Sequence, residues 1–77
     1  MFEKPVKGIL YIEGMTCGHC QKRVEEALSG IRGVKKAVVS LEKGRADVDY
    51  LEVKTSLRAL GEAVEAAGYT VTGTEQG

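Results

Sequence analysis

The chain opens with an alternating stretch, Val6 to Glu13 (VKGILYIE), in which Val6, Gly8, Leu10 and Ile12 recur at every second position. That period belongs to a half-buried strand, with Ile9 and Tyr11 on its outer side. From Gly18 the period changes. Val24, Ala27, Leu28 and Ile31 fall at i, i+3, i+4 and i+7, the stripe of an amphipathic helix, and Lys22, Arg23, Glu25 and Glu26 take its wet side. Gly30 and Gly33 are stop signals around residue 31. Alternation returns over Val34 to Leu41, with Ala37, Val39 and Leu41 on one face, and over Arg45 to Leu51, with Ala46, Val48 and Tyr50 on one face. The Glu42-Lys43-Gly44 turn between them predicts a hairpin. Thr55 or Ser56 caps a second helix carrying Leu57, Leu60, Val64 and Ala67, slightly weakened by Gly61 and ended by Gly68. Tyr69 to Thr74 is a last short strand, and Glu75 to Gly77 is expected to fray.

The resulting order, β-α-β-β-α-β, is the split βαβ or ferredoxin-like pattern of the α+β class: two helices on one face of a four-stranded antiparallel sheet. A length of 77 residues suits one domain, 1–77, with a single core and no linker. The hydrophobic share of 43% and charged share of 29% are ordinary for a soluble globular protein. Eleven basic residues balance eleven acidic ones, so no net field draws the chain to nucleic acid or to an anionic membrane. The apolar run at Ile9 to Ile12 is too short for a signal sequence or a membrane span, and the expected location is the cytoplasm. With one His and no clustered carboxylates, nothing resembles a general acid, base or nucleophile constellation, and no catalysis is expected.

Candidate chemistry concentrates in Gly14-Met15-Thr16-Cys17-Gly18-His19-Cys20, at the passage from the first strand into the first helix. In a reducing compartment two cysteines at this spacing read as a metal or redox pair rather than a structural disulfide. One lies in the loop and the other in the first helical turn, so their sulfurs can converge on one ion. Free N–H groups and the positive end of the helix dipole favour thiolate there, and Lys22 and Arg23 are expected to add to that field. Soft thiolates in low number select Cu(I) over hard cations, while tolerating Ag(I), Hg(II) and, with an added donor, Zn(II). A closed structural zinc site takes four ligands, and this chain has two Cys and one His. His19 remains a candidate third ligand. Met15 is expected to anchor the loop on the core rather than offer its thioether. A thioredoxin-like redox role would need a cis-proline facing the cysteines, whereas the single proline, Pro5, precedes the first strand.

The stretch Ile12 to Cys20, with its GMTCxxC motif, together with Ala67-Gly68-Tyr69, resembles the heavy-metal-associated domain of bacterial copper chaperones and copper-transporting P-type ATPases. The resemblance covers residues 6 to 73. It implies one Cu(I) per monomer, held by Cys17 and Cys20 and passed by ligand exchange to the metal-binding domain of a copper-transporting P-type ATPase. It also implies a monomer, with a metal-bridged dimer as the loaded alternative. Thr16 matches the neutral position of copper-type members, where zinc or cadmium relatives often carry Asp. Tyr69 matches the aromatic that bacterial chaperones place in the last loop beside the metal. An N-terminal metal-binding domain of a metal-exporting ATPase is the alternative, followed by a zinc or mercury carrier and, from the CxxC spacing itself, a thiol oxidoreductase.

Overall fold

The computed structural model describes residues 4–76. Six elements follow in the expected order: β1 (Val6–Glu13), α1 (Gly18–Ser29), β2 (Val34–Ser40), β3 (Arg45–Tyr50), α2 (Leu57–Ala66) and β4 (Thr70–Gln76). The strands form one sheet in the order β2-β3-β1-β4, with every neighbouring pair antiparallel. Sequence alternation becomes a buried inner face. Leu10 and Ile12 of β1, Val39 of β2, and Ala46, Val48 and Tyr50 of β3 meet Val24 and Leu28 of α1 and Leu60 and Val64 of α2 in one core. Helix α1 lies over β2, and α2 lies over β4.

The register explains a residue that looks out of place in a strand. Gly8 pairs with Val48 on the inner face, and a Cβ there would sit 3.0 Å from Tyr50 Cε1 and collide with Leu57 Cδ2 at 2.5 Å. The missing side chain therefore makes room for α2 to approach the sheet. On the outer face, the register aligns Lys7 with Asp49 and Asp49 with Lys36, and in the next row Ile9 with Asp47 and Asp47 with Val38.

The helix ends follow the expected chemistry. Ser56, not Thr55, caps α2, its Oγ accepting from the Ala59 N–H at 3.2 Å. Gly68, with φ of +104°, turns the chain out of α2. Two expectations need correction. Glu75 and Gln76 do not fray: they pair with Ile9 and Gly8 in β4, the Tyr11 hydroxyl donates to Glu75 Oε1 at 3.1 Å, and Gln76 Nε2 donates to Glu52 Oε2 at 3.0 Å. Gly77, the last residue of that expected tail, and Met1, where the expected domain begins, lie outside the described residues. Leu51, read as the end of a strand, instead follows β3 and is buried, its N–H donating to the Gly33 carbonyl at 2.8 Å. Among the described residues, no helix is long and apolar enough to cross a membrane.

Candidate metal centre

The loop that joins β1 to α1 is set up from below. Gly14 takes φ of +98°, a left-handed conformation open to glycine, and this turns the chain at the end of β1. Met15 follows, half-buried and packed against the core, as the sequence suggested. Thr16 and Cys17 are then left exposed.

Cys17 is the N-cap of α1, in an extended conformation, and its carbonyl accepts from the N–H groups of Cys20 (3.0 Å) and Gln21 (3.2 Å). Its sulfur caps nothing, so it remains free for another partner. The first turn holds no acidic side chain to neutralise the positive end of the helix. Farther along α1, Gln21 Nε2 donates to the Val39 carbonyl at 3.0 Å and ties this turn to β2.

The two thiols are free, Cys17 exposed and Cys20 half-buried, with their sulfurs 3.8 Å apart. That separation is less than twice a metal–sulfur bond of about 2.3 Å, so one ion can touch both. Cys20 is well disposed to be a thiolate: its pKa is lowered from 9.0 to about 6. The largest cause is the Tyr69 hydroxyl, followed by the Thr16 N–H; Cys17 contributes through its side chain and its N–H, against a modest opposing effect of burial. These groups, rather than the expected charges of Lys22 and Arg23, stabilise the anion. Tyr69 is held above its ordinary value, chiefly because it donates to Cys20, while a hydrogen bond from Arg23 acts in the opposite direction.

Tyr69 reaches Cys20 from the far end of the chain. It stands between α2 and β4, partly buried against the core, and its N–H donates to the Val64 carbonyl at 3.3 Å. Its ring also borders Gly14, where an added Cβ would lie 3.7 Å from Tyr69 Cδ1. Beside the sulfurs, His19, Cys20, Lys22, Arg23, Glu26 and Tyr69 line an open hollow of about 400 Å³. His19 is exposed, and among the described residues no set of three or more His, Cys, Asp or Glu side chains comes together to hold a metal. Of the residues singled out in the sequence, the structure brings Cys17, Cys20 and Tyr69 together and packs Met15 against the core. Sequence reasoning missed that Arg23 lines the same hollow as Cys20 and Tyr69, for which the available signal was the i, i+3 spacing that puts Arg23 on the Cys20 face of α1.

The geometry agrees with comparisons to known proteins. The profile of the heavy-metal-associated domain matches residues 9–70. Copper chaperone CopZ of Staphylococcus aureus strain MRSA252 is 46% identical over 63 residues, covering 82% of this chain and 93% of the relative. A solved structure of a CopZ metallochaperone superposes with a TM-score of 0.83 at 44% identity, covering 86% of this chain and 98% of that one. The N-terminal domain of a potential copper-translocating P-type ATPase from Bacillus subtilis, in its Cu(I)-loaded state, superposes with a TM-score of 0.83 at 36% identity, covering 92% of this chain and 91% of that one. With the fold, the convergent thiols and the match across most of its length in agreement, the chain belongs to the heavy-metal-associated domain family.

Proposed function

We propose that this protein is a copper chaperone that binds one Cu(I) through Cys17 and Cys20 and passes it to a partner by thiolate exchange. The observation that carries the proposal is the pair of free sulfurs 3.8 Å apart at the surface, with no His, Cys, Asp or Glu gathered as a third ligand among the described residues. Two soft donors satisfy Cu(I), whereas Zn(II) wants four ligands, which must then be found elsewhere. Ag(I) and Hg(II) share the preference for thiolate and are expected to bind in vitro. An open site also suits transfer, since an entering thiolate can bond before the first ligands leave. The similarity to proteins named copper chaperones, at 46% identity over most of the chain, supports the same function.

The receiving partner on this reading is the metal-binding domain of a copper-transporting P-type ATPase, a domain of the same fold, and the exchange takes place in the cytoplasm where thiols remain reduced. The apo protein works as a monomer, and a metal-bridged dimer is the loaded form to look for. On this reading His19, an exposed residue, is not required as a ligand. The site is one of binding and release, without turnover chemistry.

A second assignment rests on the B. subtilis ATPase domain, which this chain matches over 92% of its length: the same metal site serving as the N-terminal domain of a transporter. Reading the gene beyond Gly77 separates the two, because a transporter continues into membrane-spanning helices.

Anaerobic competition against a chromophoric chelator, with Cu(I) and Zn(II) side by side, tests the metal. One tightly bound Cu(I) per chain and much weaker Zn(II) are expected; comparable affinities would overturn the copper assignment. Cys17→Ser and Cys20→Ser are each expected to abolish tight Cu(I) binding while leaving the circular dichroism spectrum unchanged. His19→Ala is expected to change affinity less than tenfold, that is by less than about 1.4 kcal/mol.

A further inference from the structure

The metal site deprives α1 of an ordinary start. Its N-cap position, where Ser, Thr, Asp or Asn would accept a hydrogen bond from the first turn, is taken by Cys17, whose side chain caps nothing. The first helical residue is Gly18, the poorest helix former apart from proline, and a Cβ there would meet nothing within 4 Å. The first turn also lacks an acidic side chain to complement the helix dipole. Helix α2 offers the contrast: it begins on Ser56, whose Oγ accepts from the Ala59 N–H at 3.2 Å. An uncapped turn that opens on glycine is prone to fray. Yet this turn carries Cys20 and sets its distance from Cys17.

Gln21 ties the turn in two directions. Its N–H donates to the Cys17 carbonyl at 3.2 Å, closing the turn on the loop cysteine, and its side-chain Nε2 donates to the Val39 carbonyl at 3.0 Å. The second anchor is firm, because the Val39 side chain is buried in the core and α1 lies over β2. We propose that Gln21 is a positioning residue for metal capture: its bond to β2 stands in for the missing cap and keeps the first turn of α1 formed in the metal-free protein, so that Cys20 Sγ waits beside Cys17 Sγ. The effect passes through the backbone of the turn and needs no contact between Gln21 and the metal. An ion that requires both sulfurs binds only those molecules in which the turn is formed, so apparent affinity scales with that fraction.

The proposal rests on Cu(I) binding by Cys17 and Cys20, and the experiment keeps the two apart. Amide hydrogen exchange is followed by NMR in the reduced, metal-free chain. The variants are Gln21→Leu, which keeps the bulk and loses the donor, Gln21→Lys, which keeps a donor, and Gln21→Leu combined with Gly18→Ala. Gln21 is only half-buried, so the fold is expected to survive each change. In Gln21→Leu, exchange at the Cys20 and Gln21 amides should quicken about tenfold while the Val24 and Leu28 amides keep their native rates. Cu(I) affinity, read by chelator competition, should fall about threefold in the same variant. Gln21→Lys, through its donor, and Gly18→Ala, through helix propensity, should each recover part of both losses. With Cu(I) bound, first-turn exchange in Gln21→Leu should return close to native, because both sulfurs are then held together. Unchanged exchange at Cys20 and Gln21 in Gln21→Leu, or an acceleration shared equally by Val24 and Leu28, would overturn the proposal. Failure of the native chain to retain Cu(I) at all would instead overturn the metal assignment.

Discussion

A sulfur with a pKa near 6 is ionised at neutral pH without any metal, and Cys20 has that property because hydrogen-bond donors surround it. The sign of the coupling to folding follows. The folded value lies below the unfolded one, so the thiolate stabilises the fold fully above pH 9, and this contribution is lost as pH falls through about 6. Titrating thiolate absorbance at 240 nm in the reduced apo protein should reveal a group with a midpoint near 6. Tyr69→Phe should move it back toward the ordinary value. Urea midpoints measured between pH 9 and pH 5.5 should decline in the native chain and decline less in Cys20→Ser. Much of this site was legible beforehand: the spacing of Cys17 and Cys20 and the helix start between them specify two convergent donors. The source of the low pKa was not, because it depends on Tyr69, which is 49 residues away and brought to the site only by tertiary packing.

At the scale of single elements, two glycines behave in opposite ways. Gly61 lies in the interior of α2, where an added methyl group would meet Val71 at 3.8 and 3.9 Å and Leu10 Cδ2 at 4.0 Å, all ordinary contacts. Gly61→Ala is therefore expected to stabilise the protein by about 0.5–1 kcal/mol through helix propensity. Gly8→Ala adds the same atom against Leu57 Cδ2 and Tyr50 Cε1, and is expected to cost about 1–3 kcal/mol by overpacking. Chemical denaturation of both variants checks the pair. The elements themselves were readable because β1, β3 and the two helices bury one face and expose the other, which writes their periods into the chain. Periodicity fails where that contrast disappears. In β4 the residues Thr74, Glu75 and Gln76 are all exposed, so nothing apolar marks a strand, and its extent is instead set by pairing with β1. Leu51 fails for a related reason, since the turn after β3 folds its side chain inward against the alternation.

The whole molecule depends on a small core in which Leu10, Leu28 and Leu60 are fully buried, one from β1 and one from each helix. Leu60→Ala is expected to cost about 2–5 kcal/mol, a large part of the stability of a domain this size, measured by urea unfolding. Leu60 lies in α2, away from the loop that carries the sulfurs, so wherever the variant remains folded its Cu(I) affinity should stay close to native. The same arrangement separates the duties of the two ends of the fold. Helix packing positions the β1–α1 loop, and the loop itself commits no apolar side chain other than Met15 to the core.

Among the described residues, the strand order β2-β3-β1-β4 leaves β2 and β4 with one side unpaired. Open backbone edges invite other chains to add a strand, the first step of aggregation. Here the β2 edge presents Lys35 and Lys36 in succession, both exposed, and the register of β4 shifts against β1 between Tyr11 and Ile12. Repulsion on one side and irregularity on the other discourage sheet-to-sheet stacking. A carrier with guarded edges leaves the end of the molecule that bears the sulfurs as the surface open to encounters with other chains.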